Sequence, residues 1–381
     1  MNSPSPVKTS ATVVRYCRQC LMPTTRPRMQ LDELGVCSAC RYAELKRNID
    51  WDGRRQEFLE LIDRYRATNG PYDCIVPWSG GKDSSTIAHR LKFEFGLNPL
   101  LVTFSPLISD EVGAHNREAL LKLGFDQIMV RPDQAASRHL ARRFFVERGN
   151  PKVHWDAGVN SFPVQVAVRY RIPLIFYAEH GESEYGGRIL GEESAKIRDF
   201  TEVIEHQIGD DPANWADESV PASALAPYLY PDAAEVERVG IKAMYFAYFF
   251  KWSMYENYKY IREKIDFHTT AGGRTDGTFT NFDSLDDKID TLYYHMQFVK
   301  FGFGRAVRDA SRMIQNGHLS REEGLRLARA YDAEAPTTHR TEQLEYLGMD
   351  DTELVQTIDK HRNPEVWRFS GNEWQLRFSL V

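Results

Sequence analysis

Cysteine is scarce in this sequence: there are five among 381 residues, and four of them stand close together near the N-terminus. No apolar run reaches the ~18 residues that a membrane-spanning helix needs. The first eleven residues also lack the apolar segment of a secretory signal peptide. These absences argue against a membrane protein and a disulfide-stabilised secreted protein, so we predict a cytoplasmic location. Residues 1–12, which are rich in Ser, Pro and Thr, are predicted to form a disordered tail.

Positive charge is not in excess either. The 48 Lys and Arg residues are outnumbered by 54 Asp and Glu residues, and the formal net charge is -6. Proteins that bind nucleic acids usually present a basic surface, because they neutralise phosphates. The charge balance therefore argues against a nucleic-acid partner.

The four clustered cysteines are arranged as C-x2-C-x16-C-x2-C, at Cys17, Cys20, Cys37 and Cys40. This spacing is typical of a structural zinc site, in which each C-x-x-C pair binds the metal from one tight turn. We predict a zinc ribbon over residues 13–48, in which the metal supplies stability that so small a core lacks. Disulfides and an iron–sulfur cluster are the alternatives.

A glycine- and serine-rich stretch lies between a predicted strand at residues 73–78 and a predicted helix that stops at Gly96. Its residues are Ser79, Gly80, Gly81, Lys82, Asp83, Ser84 and Ser85. A strand-to-helix turn of this composition points backbone N–H groups and the positive end of a helix at one place, as phosphate-binding loops do. It is not a Walker A loop, which requires Ser or Thr directly after Gly-Lys, where this chain has Asp83.

Strands and helices alternate after this turn, with strands predicted at residues 99–104, 127–130 and 174–178. This alternation predicts an α/β fold with a doubly wound, mainly parallel sheet over residues 49–265. Ligands of such sheets bind beyond the carboxyl ends of the strands. Phe104, at one of these ends, is a candidate nucleotide contact. Glu182 and Glu184, in the loop after another strand, are candidate magnesium ligands together with Asp83, unless that loop is simply a solvated charged surface.

The remaining segments are less specific. Residues 244–252 are apolar and aromatic, and we predict a buried strand there. Residues 266–381 are predicted to be mainly helical. Lys300, Arg305 and Arg308 lie on or near one face of this region, either as solvated surface charges or as contacts to an anionic substrate.

The heptapeptide at residues 79–85 resembles the PP-loop of the ATP pyrophosphatases with the adenine-nucleotide alpha hydrolase-like fold. Combined with the four-cysteine ribbon and with residues 284–290, 301–306 and 321–324, it makes the chain similar to the N-acetyl sugar amidotransferases of lipopolysaccharide O-antigen and related surface-glycan biosynthesis. The resemblance extends from about residue 15 to residue 347, and the C-terminal stretches carry the family assignment.

The resemblance implies an ATP-dependent conversion of a sugar acetamido group into an acetamidino group, with ATP, Mg²⁺ and Zn²⁺ bound. Residues 79–85 would hold the ATP phosphates, with Lys82 and Asp83 as the catalytic residues. The substrate would be a nucleotide-linked N-acetyl amino sugar. Cys74, the one cysteine outside the cluster, lies in a predicted strand without a glycine-rich turn, so ammonia would come from a separate glutaminase subunit, with a cyclase-like channel subunit as a further partner.

Two other functions compete with this interpretation. A tRNA-modifying PP-loop enzyme, for thiolation or lysidine formation, would use the ribbon to grip RNA, but the acidic charge balance argues against it. A zinc-ribbon interaction protein with an inactive nucleotide fold would not need the intact Lys82-Asp83-Ser84 sequence.

Overall fold

Five strands form one parallel sheet at the centre of this computed structural model. They are β1 (Cys74–Pro77), β2 (Pro99–Phe104), β3 (Asp126–Val130), β4 (Leu174–Tyr177) and β5 (Lys242–Tyr245). Their spatial order is β3-β2-β1-β4-β5, and every neighbouring pair is parallel. The structure describes residues 14–66, 70–187, 191–199 and 208–380, so the tail predicted at residues 1–12 lies outside the described part.

Both faces of the sheet are covered. Successive residues of β1 show this, because Val76 joins one buried apolar cluster and Ile75 joins another. The strands β1, β2 and β4 are apolar and buried along nearly their whole length, as strands of a parallel sheet between two helical layers are. The prediction of an α/β fold with a parallel sheet is confirmed.

Helices surround the sheet and form most of the rest of the chain. Those before or between the strands are α1 (Ser38–Leu45), α2 (Trp51–Tyr65), α3 (Lys82–Phe93), α4 (Glu111–Leu121), α5 (Gln134–Arg148), α6 (Val153–Tyr170), α7 (Gly181–Tyr185), α8 (Glu192–Lys196) and α9 (Ala233–Val239). Those after β5 are α10 (Phe246–Phe249), α11 (Met254–Lys264), α12 (Asp290–Phe301), α13 (Arg305–Gln315), α14 (Arg321–Tyr331), α15 (Arg340–Leu347) and α16 (Asp351–Lys360). Short 3₁₀ turns at Pro212–Trp215 and Ala222–Tyr228 occupy the segment before α9.

The aromatic run at residues 244–252 is buried, as predicted, but the prediction of one continuous strand was wrong. The strand β5 ends at Tyr245, and the helical turn α10 follows at once. Phe246 and Phe250 stack with their ring centres 4.6 Å apart, and both enter the core cluster that contains Val76. A segment that is buried on all sides shows no alternation of apolar and polar residues, so its sequence pattern does not distinguish a strand from a helix.

The C-terminal region contains helices α12 to α16, as predicted, and also a hairpin that the sequence analysis missed. Its strands are β6 (Trp367–Ser370) and β7 (Glu373–Leu376), which pair antiparallel. Gly371 and Asn372 connect them, and both have positive φ angles of 63° and 66°. A two-residue Gly-Asn loop with this backbone is a recognised hairpin signal, so the sequence did contain the information.

The cysteine-containing N-terminal segment does not stand apart from the rest of the protein. Its buried residues form one apolar cluster with Phe303, Val307 and Ala310 of the C-terminal region. The cysteine-containing segment is therefore packed against α13. Among the described residues, no helix is both long enough and apolar enough to cross a bilayer.

Candidate active site

The turn between β1 and α3 lies where the direction of strand order changes. The strand β1 has β2 on one side and β4 on the other, so the loops after β1 and β4 leave the sheet at a topological switch point. Ligands of open parallel sheets bind in the crevice that forms there. Gly80 has φ of 93°, and a Cβ at this position would lie 2.4 Å from Cγ of Arg117. The turn therefore requires glycine at this position, both for its backbone angle and for its packing.

A cavity of about 400 Å³ opens beside this turn. We call it the central cavity. From the turn, it is lined by Ser79, Gly81, Lys82, Asp83 and Ser84. From the rest of the chain, it is lined by Lys152, Trp155, Asp156, Ala178, Phe282, Asp283, Ser284, Leu285, Asp286, Asp290, Tyr293 and Tyr294. Residues of the sheet domain and of the C-terminal region therefore share one cavity.

Lys82 is the centre of one ion-pair cluster in this cavity. Its ammonium nitrogen lies 2.8 Å from Oδ2 of Asp83 and 2.5 Å from Oδ1 of Asp283. Burial alone would lower the pKa of Lys82, but the two carboxylates outweigh burial and hold that pKa above its ordinary value. The other oxygen of Asp83 accepts a hydrogen bond of 2.8 Å from the side-chain amide of Asn257. Both partners of Lys82 are therefore fixed in place.

Asp283 is held from behind by two arginines of α13. Arg308 reaches Oδ2 of Asp283 at 3.2 Å, and Arg305 donates to its backbone carbonyl at 2.5 Å. Burial opposes ionisation of Asp283, but Lys82 and Arg308 outweigh it, so the pKa of this carboxyl lies well below its ordinary range. Of the two predicted roles, solvated surface charge is wrong for Arg305 and Arg308, because they are buried at 1% and 8% exposure, whereas contact with an anionic substrate stays a prediction. Their side chains organise Asp283.

Lys152 is the centre of a second cluster in the wall of the central cavity. It forms a short ion pair with Asp290 and lies 3.6 Å from Asp287. Burial raises the pKa of Asp156 to about 7, with Lys152 opposing this effect. Burial and the neighbouring Asp290 likewise raise the pKa of Asp286 to about 7. Two carboxyl groups on this wall can therefore accept or release a proton near neutral pH.

The loop that carries Asp286 is fixed by backbone contacts to the segment after β2. The Asp287 carboxylate accepts hydrogen bonds from the backbone N–H groups of Leu107 at 2.9 Å and Ile108 at 3.0 Å. The backbone N–H of Asp110 donates to the carbonyl of Asp286 at 3.1 Å. These contacts place the loop over the carboxyl end of β2, so the sheet itself positions the acidic wall.

The structure brings together five of the predicted turn residues at the central cavity, namely Ser79, Gly81, Lys82, Asp83 and Ser84. Gly80 is not among the residues that line the cavity, and it packs against Arg117 instead. Ser85 faces the core, where its hydroxyl accepts a hydrogen bond of 2.9 Å from the indole of Trp78. Phe104 also packs in the core, 5.6 Å from the ring centre of Tyr228 and outside the set that lines the cavity.

The two predicted magnesium ligands of the loop after β4 are paired with cations instead of facing the cavity. Glu182 lies 3.0 Å from Arg28, and Glu184 lies 2.7 Å from Lys46 in an almost completely buried pair. Glu179, which the sequence analysis did not select, lies at the start of the same loop. Burial, followed by the charge of Asp83, raises the pKa of Glu179 to about 8. Among the carboxyl groups of this loop, Glu179 is therefore one whose protonation is influenced by the charge of Asp83 in the turn.

The four cysteines Cys17, Cys20, Cys37 and Cys40 meet in one buried cluster, in which all sulfurs lie within 4.8 Å of one another. Two sulfur pairs, Cys17–Cys40 and Cys20–Cys37, are 3.7 Å apart, and all four thiols are free. Four sulfurs bound to Zn²⁺ at ~2.3 Å in a tetrahedron would be ~3.8 Å from one another. The donor set and its spacing therefore fit a structural zinc ion.

The C-terminal region of the chain is similar to a known protein family. Residues 276–379 match one family model. Its description is LPS biosynthesis protein WbpG-like, C-terminal domain. The C-terminal region of this chain is therefore similar to that of WbpG-like proteins of lipopolysaccharide biosynthesis, which supports the family resemblance seen in the sequence. The matched residues include Asp283 and the two arginines of α13 that hold it.

A second comparison covers a smaller part of the chain. An uncharacterized protein of Methanocaldococcus jannaschii is 36% identical over 67 residues, which are 18% of this chain and 24% of that relative. The matched part thus spans about a quarter of the relative, and its name assigns no activity that bears on the site.

Several residues of the central cavity were missed by sequence reasoning. Asp156, Asp283, Asp286 and Lys152 carry no motif of their own and lie far from the turn in sequence. One signal was present for Asp286, which belongs to the stretch at residues 284–290 that carries the family resemblance, and Asp283 directly precedes that stretch. That stretch indicates the family but assigns no role to its individual residues.

Proposed function

We propose that this protein is an ATP-dependent amidotransferase of lipopolysaccharide O-antigen or related surface-glycan biosynthesis. It converts the acetamido group of a nucleotide-linked N-acetyl amino sugar into an acetamidino group and forms AMP and pyrophosphate. The observation that carries the proposal is the contact of Lys82 with Asp283. It joins a PP-loop-like turn and a WbpG-like C-terminal region in one cavity.

The reaction requires activation of an unreactive amide. The amide oxygen attacks the α-phosphorus of ATP, and the bond to pyrophosphate breaks. Ammonia then adds to the amide carbon, loses a proton, and AMP departs with the former amide oxygen. Lys82, together with the backbone of Gly81 and the hydroxyls of Ser79 and Ser84, would stabilise the charge that grows on pyrophosphate. Asp156 or Asp286, whose pKa values lie near 7, would take the proton from the attacking nitrogen.

Magnesium fits the carboxylates around Lys82. Mg²⁺ typically uses one or two protein carboxylates plus phosphate oxygens, and Asp83 and Asp283 offer two carboxylates that both contact the Lys82 ammonium. The metal would neutralise phosphate charge as the bond to pyrophosphate breaks. Glu182 and Glu184 stay predicted ligands, although binding would require each to exchange a cationic partner for the metal.

Ammonia would come from a separate glutaminase subunit, with a cyclase-like subunit as its conduit. Of the five cysteines in the chain, four form the ribbon cluster, and Cys74 is completely buried in β1. Burial raises the pKa of the Cys74 thiol, which keeps it protonated and unreactive. A cysteine in this state does not serve as the nucleophile of a glutaminase.

The decisive experiment combines a UDP-linked N-acetyl amino sugar, ATP, Mg²⁺ and an ammonium salt with the purified chain. We expect mass spectrometry to show a sugar product lighter by about one mass unit, because NH replaces oxygen, and chromatography to show AMP. Glutamine should not replace ammonium unless a glutaminase is added. Formation of ADP, or AMP release that responds to tRNA but to none of the sugars, would overturn the proposal.

The matched pair of variants is Lys82→Ala and Lys92→Ala. Both residues belong to α3, but Lys92 lies near its C-terminal end, is only half-buried and donates to the carbonyl of Gly124. Loss of Lys82 should lower turnover by ~10²-fold or more, because its charge acts mainly on the developing pyrophosphate. Lys92→Ala should leave turnover unchanged. Equal activity of the two variants would remove the basis for the proposed role of the turn.

A further inference from the structure

A second, smaller cavity of about 150 Å³ lies next to the central cavity. We call it the Arg26 pocket, and the residues that matter for its chemistry are Arg26, Asn150, Tyr293, Gln297 and Lys300. Tyr293 lines both cavities, so one side chain forms the wall between them. A ligand that occupied the pocket would therefore end close to the reacting groups.

The pocket forms where three parts of the chain meet. Arg26 comes from the ribbon, between the two cysteine pairs. Asn150 comes from the turn between α5 and α6 of the sheet domain, and Lys300 comes from the last turn of α12. No one of these parts forms the pocket alone, so its lining depends on how the ribbon docks.

Within the described part of the chain, the two cations of this pocket have no carboxylate partner. Among the described residues, no carboxylate lies within 4 Å of the charged nitrogens of Arg26 or Lys300, although ion pairs at this distance are numerous elsewhere in the structure. Burial, followed by the charges of Arg312 and Arg308, lowers the pKa of Arg26 to about 10. Burial also lowers the pKa of Lys300. For Arg26, Cys37 and Tyr293 oppose this shift only in part, so both cations carry charge that the protein does not fully compensate and that a bound anion would stabilise.

Both side chains also keep hydrogen-bond donors for a ligand. The Nε of Arg26 donates to the carbonyl of Gly186 at 2.9 Å. Within the described ranges, this is the one hydrogen bond that the Arg26 side chain makes. The ammonium of Lys300 donates to the carbonyl of Arg148 at 3.3 Å. Since a guanidinium has five donors and an ammonium has three, most of their capacity is unused. Arginine and lysine with free donors are the groups that proteins use to bind phosphate.

We propose that the Arg26 pocket binds the diphosphate of the nucleoside diphosphate that carries the sugar. This identity of the ligand rests on the proposed function. The zinc ribbon then has a role in substrate binding, because it supplies one of the two cations. The sugar extends past Tyr293 into the central cavity, where its acetamido group meets the residues around Lys82.

Charge explains why the carrier diphosphate uses this pocket and not the central cavity. Five carboxylates line the central cavity, at Asp83, Asp156, Asp283, Asp286 and Asp290, against the two lysines Lys82 and Lys152. An acidic surplus suits ammonium and metal-bound ATP but repels a second set of phosphates. The Arg26 pocket has the opposite balance, with two cations and no carboxylate among its lining residues.

Calorimetry with uridine diphosphate tests the pocket without any catalysis. Binding to the full chain, in the absence of ATP, should weaken at least tenfold in Arg26→Gln and in Lys300→Gln. The control is Lys360→Gln, because Lys360 donates to the carbonyl of Val146 near the same end of α5 but lies outside the pocket. This variant should bind as the parent does. Unchanged binding in Arg26→Gln and Lys300→Gln would overturn the proposal.

Inorganic pyrophosphate is the second probe, because a phosphate site could also serve the product released from ATP. If the two variants weaken pyrophosphate binding and leave uridine diphosphate binding intact, the pocket is a product site and the proposal is wrong. Zinc content and the thermal unfolding midpoint should be measured for Arg26→Gln, and both should match the parent. If Arg26→Gln loses zinc, its ribbon is no longer intact. The result for Lys300→Gln, which lies outside the ribbon, then decides whether the proposal holds.

Kinetics separates failure of the pocket from failure of the proposed function. In Lys300→Gln, the KM for the UDP-sugar should rise tenfold or more while the KM for ATP stays the same. If amidine product forms with an unchanged sugar KM, the function stands and the pocket assignment fails. If uridine diphosphate binding depends on both cations but no N-acetyl sugar yields an amidine, the pocket stands and the proposed function fails.

Discussion

Lys82 and Asp283 form an ion pair with a nitrogen–oxygen distance of 2.5 Å, although 201 positions separate them in the chain. Lys82 begins the helix after β1, and Asp283 precedes α12. Because Arg308 holds the other oxygen of the Asp283 carboxylate, the pair also connects the turn to α13. The site is therefore complete only when the sheet domain and the C-terminal region are packed together.

Replacement of Asp283 should test this connection. In Asp283→Asn, Lys82 loses one of its two carboxylate partners and a candidate metal ligand disappears. We expect AMP formation to fall by ~10²-fold or more. The control is Asp276→Asn, in the same loop, whose carboxylate accepts hydrogen bonds from Thr337 and Thr338 instead. That variant should keep most of the activity, and circular dichroism should show both variants folded. Full activity in Asp283→Asn would contradict the assignment.

The cysteine cluster gives a metal-content prediction. Cys37→Ser should release zinc from the purified protein and lower its thermal unfolding midpoint, because folding of a small ribbon is coupled to metal binding. The parent should contain one zinc per chain. Cys74→Ser is the matched control, since Cys74 is buried in β1 outside the cluster. Elemental analysis that finds the same zinc content in the parent and in Cys37→Ser would disprove the zinc site.

Glu184 allows a structural role to be separated from a magnesium-binding role. It forms a buried pair with Lys46, at 5% and 4% side-chain exposure. Glu184→Gln should lower the free energy of unfolding by about 3–5 kcal/mol, because it leaves the Lys46 charge buried without a partner. Glu182→Gln, which removes the more exposed pair with Arg28, should cost less than about 1 kcal/mol.

These two glutamate variants should be compared in a magnesium titration of AMP formation as well as in urea unfolding. An unchanged magnesium requirement together with the stability loss would assign Glu184 to the structure. A large rise in the magnesium requirement would instead support the role predicted from the sequence.

Gly113 of α4 should matter for activity although it does not line the central cavity. A Cβ at Gly113 would lie 2.4 Å from Cα of Asp286 and 2.8 Å from the carbonyl oxygen of Leu285. Backbone on the loop would have to move, so Gly113→Ala should destabilise the protein by about 1–3 kcal/mol. It should also lower turnover by ~10-fold or more through displacement of Asp286. Gly272→Ala, where a Cβ meets nothing closer than 3.8 Å, should behave as the parent in both assays.

Asp156 predicts a pH dependence of stability. Its pKa is raised from 3.8 to about 7 by burial, so between pH 4 and pH 7 the folded protein holds this proton more tightly than the unfolded chain does. The contribution of this group to the free energy of unfolding is therefore greatest below pH 4 and is lost as pH rises to 7. Asp156→Asn removes the titration. At pH 8 the variant should be more stable than the parent, by on the order of 2 kcal/mol, since each pKa unit corresponds to about 1.4 kcal/mol and the cavity admits water.

Urea unfolding at pH 4, 6 and 8 would measure this difference. The gap between Asp156→Asn and the parent should widen as pH rises, whereas Asp63→Asn, at an exposed position of α2, should give a curve parallel to that of the parent. A constant gap at all three pH values would show that the Asp156 carboxyl is not perturbed.

Sequence reasoning succeeded where short-range pattern decides the outcome. The parallel sheet follows from apolar strands that alternate with helices, and the turn at Gly80 follows from residue types that fit a sharp strand-to-helix connection. The cysteine cluster follows from two C-x-x-C pairs, because that spacing brings two sulfurs to one point wherever it occurs. The Gly371-Asn372 hairpin belongs to the same class, although it was missed.

Tertiary structure alone decided which charged groups face one another. Glu184 looked like a free carboxylate beside the turn, but Lys46 from the end of the ribbon segment neutralises it. From the sequence, Arg308 is either a surface charge or a contact to an anionic substrate, and the structure shows it buried and paired with Asp283. A carboxylate keeps, loses or shares its charge according to burial and to partners brought from distant parts of the chain, and no local pattern encodes those partners. The local sequence therefore determines the turn of this protein, whereas tertiary packing determines which charges surround Lys82.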